Sequence, residues 1–102
     1  MDKYNVRLMN RALQDLDEIY AYIARDLFAP GAAEGLIDRI EKAILPLEEA
    51  PYRGAVRRIG LYAGRGYRQL FVGNFTIVYR VDEDQKLVLI VTVRYTPSRF
   101  YR

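Results

Sequence analysis

Arginine and the aromatic residues hold most of the chemistry this chain can offer. Residues 51–102 carry ten Lys/Arg against three Asp/Glu, and nine of the ten are arginine. Residues 1–50 carry six against ten, so a net of −4 in the first half faces +7 in the second. The cations alternate with rings at Tyr67-Arg68, Tyr79-Arg80, Arg94-Tyr95 and Arg99-Phe100-Tyr101-Arg102. Such a mix serves nucleic-acid contact, by phosphate pairing and base stacking. It equally serves a protein interface, where Arg and Tyr dominate the energetics. Histidine and cysteine are both absent, which removes the commonest general base, the thiol nucleophile and the commonest metal ligands together. No carboxylate cluster has metal-binding spacing. Gly60, Gly64 and Gly66 do not follow a strand and precede a helix, as a phosphate loop would. No cofactor and no metal are expected.

The stretch that must position these residues runs from Gly66 to Arg94. Three runs rich in Val, Ile, Leu, Phe and Tyr are separated by Gly73-Asn74 and by Asp82 to Lys86, the pattern of an antiparallel three-stranded meander. A two-residue Gly-Asn connection suits a type I′ or II′ turn and so sets the register. Val72 faces Phe75, Leu70 faces Ile77 and Arg68 faces Tyr79 on the apolar side. Phe71/Thr76, Gln69/Val78 and Tyr67/Arg80 fall on the other. The second connection leaves two registers open. A five-residue loop from Asp82 to Lys86, the reading adopted, puts Leu87, Leu89, Val91 and Val93 on the core face and Val88, Ile90, Thr92 and Arg94 on the outer one. A four-residue loop exchanges the two sets.

Ahead of the meander, Tyr4, Val6 and Leu8 alternate with polar residues as a short strand. Leu13, Leu16, Ile19, Tyr20, Ile23 and Leu27 recur at helical spacing, which predicts an amphipathic helix from Asn10, as N-cap, to about Arg25. After the break at Phe28-Ala29-Pro30-Gly31 a second helix begins near Pro30. Ala33, Leu36, Ile37, Ile40, Ile44 and Leu47 form its apolar stripe, and Pro46 kinks or stops it. Residues 51–65 read as a loop with one short strand at Val56 to Ile59, and Pro97 ends the last strand. Asp15, Asp17, Glu18, Asp38 and Glu41 read as a solvated helical face.

The element order is strand, helix, helix, then three or four strands. It predicts an α+β fold in which a helical hairpin covers one face of an antiparallel β-meander. At 102 residues the chain can bury one core, so residues 1–102 are expected to form a single domain. No apolar run approaches the length of a membrane span, and the N-terminus does not resemble a signal peptide. A cytoplasmic location is the expectation.

That order, together with the pattern R-x-L-x-V-G-N-F-x-I-x-Y-R-V from Arg68 to Val81, resembles the RelE/ParE superfamily of bacterial toxins. The likeness extends to RALQDLDEIYAYIA in the first helix and LIDRIEKAILPLEEAP before the loop, and it covers nearly the whole chain. It implies the toxin of a type II toxin–antitoxin module, the kind associated with plasmid stabilisation, held inactive in a hetero-oligomer by a small ParD-like antitoxin. RelE-like members enter the ribosome and cleave messenger RNA. ParE-like members poison DNA gyrase.

The resemblance also says where a nuclease would carry its charge. In the RelE-like enzymes an arginine stands one residue after the aromatic that follows the hairpin turn; here that aromatic is Phe75 and the next residue is Thr76. The paired lysines of the preceding strand fall near Tyr67 and Gln69, and the arginine just past the last strand falls near Thr96. Only the C-terminal tyrosine has a counterpart, in Tyr101. Cleavage through the 2′-hydroxyl needs a base, an acid and positive charge on the phosphorane, and the charge is the missing part.

The ParE-like branch is therefore the reading adopted: a growth-inhibiting toxin that binds gyrase and leans away from enzyme activity. The alternative is a ribosome-dependent ribonuclease using Arg68, Arg80, Arg94 and Tyr101. Target binding is assigned to Arg80, Arg94, Tyr95, Arg99 and Tyr101. Antitoxin binding is assigned to Leu16, Tyr20, Phe71, Val78 and Ile90, because an outer face bearing Phe71, Val78, Val88 and Ile90 is too apolar for bare solvent. Two structural readings compete with these. Arg68 would stack on Tyr79 or cap the apolar face, and Phe100 and Tyr101 would cover the outer face from within the chain.

Overall fold

The Gly73-Asn74 turn sets the sheet. In the structure, a computed structural model that describes residues 3–96, Gly73 has a positive φ of 57° and Asn74 does not. That is the sign pattern of a type II′ turn. It joins β3 (Arg68–Val72) to β4 (Phe75–Asp82), and Val72–Phe75, Leu70–Ile77 and Arg68–Tyr79 pair as predicted. The remaining elements are β1 (Asn5–Leu8), α1 (Asn10–Ala21), α2 (Pro30–Ile44), β2 (Ala55–Val56) and β5 (Leu87–Tyr95). The sheet order is β1-β5-β4-β3-β2. β1 runs parallel to β5 and the other pairs are antiparallel.

The second connection differs from the five-residue reading. Asp82 still pairs with Leu87, so four residues, Glu83 to Lys86, make the turn, and Lys86 takes a φ of 54° to close it. Val88 and Ile90 consequently face the core, each with no exposed surface. The phase is then reset. Pairing steps from Tyr79–Ile90 to Val78–Thr92, which leaves Val91 as the extra residue of a β-bulge and returns Val93 to the core opposite Ile77. One extra residue exchanges the two faces of a strand, so each simple register describes only part of β5.

The core is a single apolar layer between sheet and helices. Leu36, Ile40 and Ile44 of α2 and Leu47 beyond it meet Val72, Ile77, Tyr79, Val88, Ile90 and Val93. α2 starts with Pro30 at its first turn and ends at Ile44. A 3₁₀ turn, Leu45–Glu48, carries Pro46, whose missing amide cannot continue the α-helical ladder. Met9, not Asn10, holds the N-cap position of α1, and no side chain caps it. A π-helical turn, Tyr22–Asp26, extends α1. The inner face of α1 and this extension is Ala12, Asp15, Leu16, Ile19 and Ile23, while Leu13 and Leu27 are exposed.

Candidate functional site

Arg68 and Tyr79 sit opposite each other, and both are taken up by the segment before β2. The Tyr79 hydroxyl donates to the Pro51 carbonyl at 2.8 Å and accepts the Gly54 amide at 2.9 Å. Burial raises its pKa above 10.0, with the Gly54 hydrogen bond opposing. The Arg68 guanidinium donates to the carbonyls of Gly54, at 2.7 Å, and Tyr52, at 3.2 Å. It lies 5.0 Å from the Tyr52 ring centroid. The stacking partner is therefore Tyr52 rather than Tyr79, because the Tyr79 ring is wholly enclosed.

The sheet face turned away from the helices carries Phe71, Thr76, Val78, Arg80 and Arg94. Arg94 pairs with Thr76 across β4 and β5 and is exposed; Arg80 is half-buried. Four residues of strand separate Arg80 from Thr76, about 13 Å at roughly 3.3 Å per residue. The two guanidinium-bearing positions thus share a face without sharing a point. Thr76 itself is buried, and its hydroxyl is hydrogen-bonded to that of Thr96.

Tyr95 lies on the other side. Successive strand residues alternate, so Arg94 and Tyr95 part company, and the Tyr95 ring meets Phe75 edge-on at 5.6 Å. With Val93 these rings form one wall of a groove of about 680 Å³; Ile19, Tyr22, Ile23 and Leu27 form the other, and Asp15 and Glu18 lie along it. Asp15, expected on a solvated face, is instead buried. The cause is the short β1, whose pairing with β5 stops at Leu8–Ile90. Beyond it the edge of β5 needs an acceptor, and the Asp15 carboxylate takes the Val93 amide at 3.1 Å and the Thr92 hydroxyl. Arg11 pairs with its second oxygen at 3.2 Å.

At the opposite end of β5, Glu83 gathers three donors: Lys86 and the hydroxyls of Tyr52 and Tyr4. The Lys86 hydrogen bond and then the two phenols hold its carboxyl down to about 2 from 4.5. Accepting these bonds, Glu83 in turn raises the pKa of Tyr4 and of Tyr52. This cluster ties β1, the loop after α2 and the β4–β5 turn together.

The predicted site residues are thus dispersed. Arg80 and Arg94 share the outer face, Tyr95 lines the groove, and Arg68 is engaged by backbone carbonyls. Arg99 and Tyr101, together with Phe100, lie outside the described residues. Of the antitoxin set, Val78 and Ile90 have no exposed surface; Ile90 is the consequence of the four-residue turn. Leu16 packs against the core, Tyr20 is half-buried and Phe71 is exposed. Ile19, Tyr22, Leu27 and Phe75 line the groove unpredicted; the helical stripe contained Ile19 and Leu27 without showing that one side would stay open. Among the described residues no group of metal-ligating side chains forms, and no helix is long and apolar enough to cross a membrane.

A family model described as the ParE toxin of the type II toxin–antitoxin system, parDE, matches residues 6–98. A Sinorhizobium fredii protein carrying the name "Putative toxin Y4kP" is 33% identical over 93 residues, 89% of this chain and 90% of its own. The fold is similar to that in the chromosomal ParDE system of P. aeruginosa, with a TM-score of 0.76 and 24% identity, covering 93% of this chain and 98% of that one. It is also similar to a chain of the RelBE2 toxin–antitoxin complex of Mycobacterium tuberculosis, with a TM-score of 0.63 and 24% identity over 96% and 97% of the two chains.

Proposed function

The chain belongs to the ParE toxin family of type II toxin–antitoxin systems, and from that premise we propose that it stops growth by binding DNA gyrase rather than by cutting RNA. A cognate antitoxin neutralises it, and the toxin works as one domain in the cytoplasm. The observation that carries the binding mode is Thr76. The position where the resemblance calls for a nuclease arginine holds a buried hydroxyl engaged by Thr96. The cations on that face, Arg94 across the strand pair and Arg80 four residues along β4, stand at other positions. Removing one well-placed electrostatic contact costs roughly two to three orders of magnitude in rate, so a site lacking two of them has little catalysis left.

Arg80 and Arg94 then serve the gyrase surface as binding cations. The groove walled by Ile19, Tyr22, Leu27, Phe75 and Tyr95 serves the antitoxin, whose amphipathic helix would bring apolar residues at helical spacing into it. Leu16, Tyr20 and Phe71 are peripheral to that contact. The experiment is a supercoiling reaction with purified gyrase, run beside primer extension on messenger RNA after induction. Inhibited supercoiling with uncut message supports the proposal; codon-positioned cuts with unhindered supercoiling overturn it.

A further inference from the structure

The segment between β2 and β3 exposes apolar surface that neither the core nor the groove uses. Ile59 and Leu61 are 70% and 74% exposed, the most exposed aliphatic side chains among the described residues. The loop that holds them is ordered by specific contacts. The Arg57 amide donates to the Tyr67 carbonyl at 2.8 Å and the Ala63 amide to Gly60 at 3.2 Å. Arg57 Nη1 donates to Gln69 at 2.6 Å, and the Tyr62 and Tyr67 rings meet edge-on at 4.9 Å. Gly60, Gly64 and Gly66 take positive φ values, which lets the chain turn tightly around the two aliphatic residues. A loop braced this way presents its apolar tip in a set geometry, so less ordering entropy is lost on binding.

Charge says what kind of surface the tip fits. From Ala50 to Val81 there is no Asp or Glu, while Arg53, Arg57, Arg58, Arg65, Arg68 and Arg80 all fall in that stretch. Arg58 and Arg65 are exposed in the same loop. Cations around an apolar centre match a pocket whose rim carries carboxylates, the arrangement in which an aliphatic anchor contributes affinity and the rim contributes rate and register. A nucleic acid would use the cations but has little to offer two branched aliphatic side chains outside a kinked base step.

We propose that the β2–β3 loop is the toxin's target-docking tip, with Ile59 and Leu61 entering an apolar pocket on a protein and Arg58 and Arg65 pairing with an acidic rim. It rests on the reading that the toxin acts by binding a protein, and it places the target contact away from the antitoxin groove. The test uses the full chain carrying Ile59→Ser and Leu61→Ser, and separately Arg58→Glu and Arg65→Glu. All four residues are exposed, so the melting curve and co-purification with the antitoxin are expected to be unchanged. Growth arrest and gyrase inhibition are expected to weaken tenfold or more in the first variant. In the second, binding is expected to weaken, and added salt, which weakens the wild-type complex, is expected to weaken this one less or to strengthen it.

Growth and gyrase are read separately so that the two claims can fail separately. If wild type arrests growth without touching gyrase, the choice of target is wrong, and the loop is judged on arrest alone. Full arrest by the Ser variant, or a chain that neither arrests growth nor binds gyrase, overturns the proposal. So does binding of bare duplex DNA by wild type that the Ser variant loses to the same degree, since that would make the partner a nucleic acid.

Discussion

The hydroxyls of Thr76 and Thr96 are 2.5 Å apart, which ties the start of β4 to the residue following β5. Beside it, the Thr96 amide donates to the Asn74 carbonyl at 2.6 Å, so the hairpin turn and the end of the sheet are closed by two bonds. Thr76→Val keeps the shape and removes one of them. The expected result is a loss of about 1 kcal/mol in urea unfolding, with growth arrest unchanged at equal folded concentration. A large fall in toxicity at unchanged stability would instead put this hydroxyl in the reaction.

Gly54 and Tyr79 give a second, ordered prediction. A Cβ on Gly54 would stand 2.6 Å from both the Gln69 carbonyl oxygen and the Tyr79 hydroxyl, inside any real contact distance. Tyr79→Phe leaves the Gly54 amide and the Pro51 carbonyl without that partner, for a cost of about 1–3 kcal/mol. Gly54→Ala forces the buried ring or the β3 backbone to move and is expected to cost more than Tyr79→Phe. Thermal melts of the two variants check the order; a milder Gly54→Ala would mean that the 51–54 segment yields easily.

Acid and alkali probe the Glu83 cluster with opposite signs. The Glu83 carboxyl is held at about 2 in the fold against 4.5 outside it. Its contribution is present above pH 4.5 and disappears as the pH falls from there through 2. Tyr4, Tyr52 and Tyr79 are raised above 10.0, so their contribution is present below pH 10 and declines above it. Glu83→Gln is expected to flatten the acid limb of a stability–pH curve, and Tyr52→Phe to soften the alkaline limb. An acid limb identical in wild type and Glu83→Gln would show that the cluster does not form in solution.

Much of this architecture is legible in the residues, for reasons that can be named. A two-residue Gly73-Asn74 turn permits one in-phase pairing, so β3 and β4 align as expected. The stripe Ala33-Leu36-Ile40-Ile44 has a single face that can be buried. β5 is different. Leu87 to Val93 is apolar or β-branched at every position, so alternation carries no phase, and neither the four-residue turn nor the bulge at Val91 leaves a mark. Asp15 is illegible for a tertiary reason: a carboxylate beside a helical stripe looks solvated until an unpaired strand edge is brought to it. The separation of Arg94 from Tyr95 follows from period two alone, yet reading the two as one basic–aromatic cluster obscures it.

Stoichiometry separates a toxin that occupies a protein target from one that turns over RNA. Purified chain is titrated into a fixed concentration of gyrase on relaxed plasmid, and in parallel into ribosomes carrying a defined message. A binder is expected to inhibit supercoiling in proportion to its molar ratio to gyrase, saturating near equivalence and reversing on addition of the antitoxin, with the message intact. Supercoiling undisturbed at a large excess of toxin, with message cut by a small fraction of an equivalent, would make the toxin a nuclease and not a binder.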